Sequence, residues 1–236
     1  LTESTGAARL PTGALPRAYA VADLRDLAGW KSQLEAAERL AVTGALPANR
    51  LLGLYTARSP AASGGVWDRV SAIQRFETAL RTRSTSAIAK SLPPAWQEMQ
   101  RVGLALRFAE LFAEPLTRYN LKGTPGTIAQ EMALLSSNYQ QYGAEASVPP
   151  LLRSIATGQV DISLADGQRT SAIVAGFDTA HARRDLTIMA RNGRMGEAIL
   201  RTLLLLDDGA AGDPVALTQA LATLRAFGLE DTARRA

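Results

Sequence analysis

The stretch PPAWQEMQRVGLALRFAELFAEPLTRY, residues 93–119, constrains the fold more than any other part of the chain. Pro93 and Pro94 suit a helix start, because the first N–H groups of a helix have no partner within it and proline has none to lose. Pro115 limits the far end. Between them, Val102, Leu104, Leu106, Phe108, Leu111 and Phe112 point in several directions on a helical wheel. The persistent polar stripe is Gln100, Arg107, Glu110 and Glu114. A helix that is apolar around most of its circumference has to be enclosed by protein. The stretch therefore predicts one long central helix in an all-α domain.

The rest of the chain reads as helices punctuated by glycine and proline. Residues 1–16 lack periodicity and are expected to form an extended N-terminal arm. Residues 17–236 are expected to form a single α-helical domain, with a subdivision, if any, near 143–169. Helices are expected at 19–27, 30–42, 66–83 and 85–92, the last ending at the paired prolines. Gly44 suits a left-handed helix end, and Ser59–Gly65 is a break. After the central stretch, helices are expected at 127–135, 149–156, 170–177, 184–191, 194–206, 214–227 and 230–236. Asp213 suits an N-cap, with Pro214 in the first helical position. Only residues 159–168, QVDISLADGQ, show strand-like alternation. Short connections make antiparallel hairpins the economical arrangement, stacked as a superhelix, a ring or an irregular bundle.

Composition narrows the function classes. With 47% hydrophobic and 20% charged residues, 236 residues suffice to bury a core. The strongest apolar run, Ile199–Leu206, is interrupted by Arg201 and falls short of the ~18 residues that span a bilayer. There is no cysteine, which excludes disulfides, thiolate chemistry and cysteine-ligated metals, and is compatible with the cytosol and the bacterial periplasm alike. The sequence starts at Leu1 rather than Met, so a preceding segment is expected; a cleaved secretory signal would place the chain in the periplasm. The net charge of +4 is unevenly divided: residues 1–118 hold 15 basic and 10 acidic side chains, residues 119–236 hold 11 and 12.

Two turns near the end are alike. Gly193 is followed five residues later by Ala198, and Gly228 by Ala233; the two glycines are 35 residues apart, and Gly158 lies another 35 upstream. A glycine that ends one helix and a small residue where the next packs closely are what a stacked hairpin requires. With Leu217, Ala220, Leu221 and Leu224 ahead of Gly228, residues 184–236 resemble the tetratricopeptide-like class of helical hairpins. Asp185 and Ser163 depart from that pattern. The resemblance is architectural; it implies a concave surface that holds proteins or peptides, and it brings no catalytic residue.

Signatures of chemistry are sparse. His181 is the only histidine, and Asp178 and Asp185 could share a helical face with it; the expectation is a surface histidine and no metal site. No nucleophile elbow, phosphate loop or dinucleotide fingerprint occurs, and no cofactor is expected. Glu77, Glu110 and Glu114 are the remaining candidates for acid chemistry. Helical rings accompany the catalytic domains of lytic transglycosylases, so a domain acting on cell-wall glycan is one alternative.

The leading expectation is a non-catalytic scaffold or adaptor that binds a protein or peptide between hairpins. Tyr139 and Tyr142 are candidate exposed contacts, the alternative being that both pack onto the next hairpin, with Arg184, Arg191, Arg194 and Arg201 positioning acidic groups. A second alternative is a weak polyanion binder using Arg69, Arg75, Arg81, Arg83 and Lys90, opposed in that stretch only by Glu77; nucleic acid is not the expected partner. Partner identity and oligomeric state are not legible.

Overall fold

The computed structural model describes residues 14–25, 29–145 and 147–236. The chain is all-α, and no strand occurs among the described residues. It divides between Asn138 and Tyr139 into two compact units. The first contains α1 (Ala14–Arg25), α2 (Trp30–Val42), α3 (Ala48–Thr56), α4 (Val66–Arg81), α5 (Thr85–Arg101), α6 (Ala105–Leu116) and α7 (Gly123–Leu135). The second contains α8 (Tyr139–Gly143), α9 (Pro150–Thr157), α10 (Gln168–Gly176), α11 (Arg184–Arg191), α12 (Met195–Ala210), α13 (Pro214–Ala226) and α14 (Glu230–Arg235). Short 3-10 turns occupy Ile162–Leu164 and Thr179–His181, so the alternating segment 159–168 is not a strand. The expected arm falls outside the described residues up to 13, and Ala14–Pro16 belong to α1.

The expected central helix is two helices. α5 begins not at Pro93 but at Thr85, where the Ser84 hydroxyl accepts a hydrogen bond from the Ala87 N–H at 3.3 Å. Pro93 and Pro94 sit inside α5, although neither can donate to the carbonyl one turn back. The stripe Ile88, Leu92, Ala95, Trp96 and Met99 is buried, and this packing holds the helix across the two missing bonds. Pro94 lies on the exposed side. The helix then stops at Gly103, with φ +72°, and restarts as α6. Val102, Leu104, Leu106 and Phe108 looked as if they surrounded one cylinder because they belong to a turn and a second helix axis.

That turn is a recurring device. The Gly103 N–H bonds the Gln100 carbonyl at 3.0 Å and the Leu104 N–H bonds the Met99 carbonyl at 2.8 Å, the paired closure of a Schellman motif. The same pair of bonds closes the turns at Gly44, Arg83, Gly193, Gly212 and Gly228. At all of these except Gly44, the residue five places on is buried: Ile88, Phe108, Ala198, Leu217 and Ala233. One rule thus sets both the end of a helix and an inward residue in the first turns of the next. Arg83 performs the turn without being glycine, at φ +54°.

The first unit's core is aromatic at its centre. Phe76 of α4 meets Phe108 and Phe112 of α6 with ring centroids 5.3 and 5.1 Å apart, and Trp96 of α5 lies 6.0 Å from Phe108. Trp30 packs on Trp67 and donates its indole N–H to the Leu54 carbonyl. In the second unit, α13 is the hub: it packs against α10, α11, α12 and α14. It is built for this, since Ala216, Leu217, Ala220, Leu221, Ala222, Thr223 and Leu224 are all buried. Two glycines permit the closest approaches. A Cβ on Gly176 would lie 2.7 Å from the Leu221 Cβ, and one on Gly209 would lie 2.7 Å from the Leu217 Cα. Between Gly193 and Gly228 the chain forms the α12–α13 hairpin, as a helical-repeat unit would. Upstream, Gly158 ends α9 at φ +80°, but Ser163 is exposed on a 3-10 turn, so the 35-residue spacing carries no matching hairpin there.

Candidate functional site

The feature with the clearest capacity to bind lies on α12, and its origin is an inverted helix. α12 turns its small residues inward: Ala198, Thr202 and Gly209 are buried. The Thr202 hydroxyl is satisfied by the Ala198 carbonyl at 2.8 Å, so the stripe presents no unmet polar group to its neighbours. Gly209 lets α13 approach closely, and Leu206 packs on that side against Ala172, Leu217 and Leu221. Three other leucines point outward. Leu200, Leu203 and Leu204 share the opposite face by i, i+3 and i+4 spacing and are 65%, 42% and 67% exposed. Met195, at the start of α12, and Ile188 on α11 are exposed as well. Covering the three leucines would release about 3 to 4 kcal/mol of hydrophobic free energy before association costs.

The arginines expected to position a partner are all exposed, but they are not equivalent. Arg194 and Arg201 converge on Glu197. Arg201 donates to one carboxylate oxygen from Nε at 3.1 Å and from a terminal nitrogen at 2.9 Å, and Arg194 Nε donates to the other at 2.9 Å. The Arg194 bonds first, then those from Arg201, hold the Glu197 carboxyl below the usual carboxylate range. Arg184 and Arg191 form no ion pair among the described residues. They are the uncompensated charges on α11.

The tyrosine expectation needs correction at Tyr139. This side chain is only 4% exposed, and its hydroxyl donates to Asp231 Oδ1 at 2.9 Å. It ties α8 to α14 rather than facing outward. Tyr142, one turn along the short α8, is half-buried.

The basic stretch also separates. Arg69 is buried and forms a fork with Glu38, Nε to Oε1 at 2.7 Å and a terminal nitrogen to Oε2 at 2.5 Å. The Tyr55 hydroxyl donates to the same Oε1 at 2.8 Å. Burial first, and then the adjacent Glu38 charge, push the Tyr55 hydroxyl well above its usual value, so it remains a donor. Arg69 therefore belongs to the core, not to a polyanion face. Arg75, Arg81, Arg83 and Lys90 are exposed. Sequence reasoning missed this Glu38–Arg69–Tyr55 cluster; the one available signal was a glutamate among alanines on an otherwise inward-facing α2.

The remaining candidates are engaged elsewhere. Asp178 caps the Ala180 N–H at 2.9 Å, and both oxygens of Asp185 bond Arg183 at 2.8 Å, so neither carboxylate is directed at His181. Among the described residues no three histidine, aspartate or glutamate side chains gather as a metal site. Glu110 accepts two bonds from Arg107 at 2.7 and 2.8 Å, Glu77 is half-buried and Glu114 is exposed. No described helix is long and apolar enough to cross a membrane. Comparison with family models, with curated proteins and with solved structures finds no match for this chain; its packed helices are compatible with a helical-repeat class.

Proposed function

We propose that this chain is a helical binding module that captures an amphipathic helix of a partner protein on the outward face of α12. The observation that carries this reading is the exposed i, i+3, i+4 triplet Leu200, Leu203 and Leu204 on a helix whose inward side is already filled. A partner helix with its own apolar stripe would cover these leucines, as in groove and zipper recognition. Arg184 and Arg191, free of carboxylates among the described residues, favour acidic residues beside that stripe. Glu197 moderates Arg194 and Arg201, which sets the pattern of charge rather than its total.

The test is binding to a displayed library of amphipathic helical peptides with acidic or basic flanks. Selected peptides should carry acidic flanks, and their affinity should fall at least tenfold with the double variant Leu200→Glu, Leu204→Glu. Selection of no helix, or equal binding by that variant, would remove the reading.

A further inference from the structure

The first unit carries a second concavity, independent of α12. α4 and α5 are joined by the three-residue turn around Arg83 and pack against each other, so they run antiparallel and residues equidistant from Arg83 face one another. Ala79 then lies across from Ala87, Arg75 across from Lys90 and Ser91, and Ala72 across from Pro94. Alanine at the facing positions leaves a groove of about 510 Å³, lined by these residues with Thr78 and Thr82. That volume is in the range of small-molecule sites.

The groove's charge is of one sign. Arg75 and Lys90 are exposed on its two walls, and neither forms an ion pair among the described residues; Arg75 Nε rests on the Ser71 carbonyl of its own helix at 3.1 Å. Glu77 lies on the other side of α4. The nearest carboxylates along the two facing stripes, Asp68 and Glu98, sit one helical turn beyond Ala72 and Pro94, and both are occupied. Asp68 accepts from the Gly64 N–H at 3.0 Å and Glu98 pairs with Arg101 at 2.8 Å. Arg75 also borders an adjoining hollow of about 490 Å³ with Ser71, Gln74 and Thr78. The Thr82 and Ser91 hydroxyls donate to their own helices, which leaves their lone pairs, not their protons, toward the groove. The floor is therefore apolar, and the two cations supply its strong donors.

We propose that this groove binds a small amphiphilic anion, its carboxylate or phosphate head held between Arg75 and Lys90 and its short apolar body laid over Ala72, Ala79, Ala87 and Pro94. Two facing cations without carboxylate partners attract such a head far more strongly than a neutral hydroxyl, and a floor of small apolar side chains accepts a chain.

The experiment is titration calorimetry of the full chain with octyl phosphate, octanoate and 1-octanol, each below its aggregation limit. The anions should bind at one site and at least tenfold more tightly than the alcohol. The double variant Arg75→Gln, Lys90→Gln should lose that preference while binding octanol as before; both residues are exposed, and circular dichroism should show an unchanged fold. Thr78→Leu, which fills the groove, should weaken all three ligands. Arg184→Gln with Arg191→Gln should leave binding unchanged. Octanol binding as tightly as octanoate, full anion affinity in the Arg75/Lys90 variant, an equal loss in the Arg184/Arg191 variant, or no binding by any of the three would each overturn the proposal.

Discussion

Arg69→Met should be among the most damaging single substitutions in the first unit. Arg69 and Glu38 side chains are 10% and 9% exposed, and their two bonds at 2.7 and 2.5 Å leave little of either charge to water. Removing one partner strands a buried carboxylate, which costs about 3–5 kcal/mol, a large share of the ~5–15 kcal/mol that holds a domain together. Tyr55→Phe removes one of the donors to Glu38 and should cost about 1.5 kcal/mol, since the arginine fork remains. Replacing both charges, Glu38→Leu with Arg69→Met, removes the stranded charge but leaves the buried Tyr55 hydroxyl with only the Met99 sulfur at 3.9 Å, so the double variant should lie within about 3 kcal/mol of the parent. The chain's three tryptophans, Trp30, Trp67 and Trp96, all lie in the first unit, so urea unfolding followed by tryptophan fluorescence reads this unit alone. If Arg69→Met costs less than about 1 kcal/mol, or if the double variant costs the sum of the single ones, the ion pair is not buried as described.

Other consequences follow from the turns, the close contacts and the second unit's charges. Arg83→Gly should stabilise the first unit by up to about 1 kcal/mol, because φ +54° strains any residue with a Cβ, whereas Gly103→Ala at φ +72° should destabilise it by about 1–2 kcal/mol; the same fluorescence assay reads both. Gly209→Ala should loosen α12–α13 by about 1–3 kcal/mol, since its Cβ meets Leu217 backbone, and Gly193→Ala by only about 1 kcal/mol, since nothing lies within 4 Å; hydrogen exchange of α12 and α13 amides separates the two. Burial alone would raise the Glu230 carboxyl, but the bonds from Arg225 at 2.6 Å and Arg234 at 3.0 Å outweigh it and hold it below its usual value. A lowered folded value gives stability that is present above the unfolded value of about 4.3 and lost as pH falls through the folded one. The protection of the α14 amides, measured against the exchange rate of a free chain at the same pH, should therefore fall below about pH 4, and Glu230→Gln should flatten that dependence.

Much of the architecture is legible in the residues. Gly193 with Ala198, and Gly228 with Ala233, announce the turns because a left-handed helix end favours glycine and a close-packed next helix favours alanine. The same turn at Arg83 is hidden, since nothing in an arginine signals a positive φ. Pro93 and Pro94 mislead for a related reason: proline is easiest at a helix start, but the buried stripe from Ile88 to Met99 outweighs the bonds they remove. The α12 face is hidden by its own inversion. Leucines read as core, and only the contact between Gly209 and Leu217, which lies in the three-dimensional packing, shows that the small residues face in. Tyr139 errs the other way: a turn-like setting suggested exposure, but its partner Asp231 is 92 residues distant.

The central claim, that the outward leucines of α12 form a docking face, is tested most directly by affinity retention from native extract at low and high salt. The parent chain is compared side by side with Leu200→Glu, Leu204→Glu, and the retained proteins are identified by mass spectrometry. The account predicts a defined protein held by the parent in high salt and lost by the variant, with the variant's circular dichroism unchanged. Retention of the same protein by both, or material held only at low salt, would contradict it.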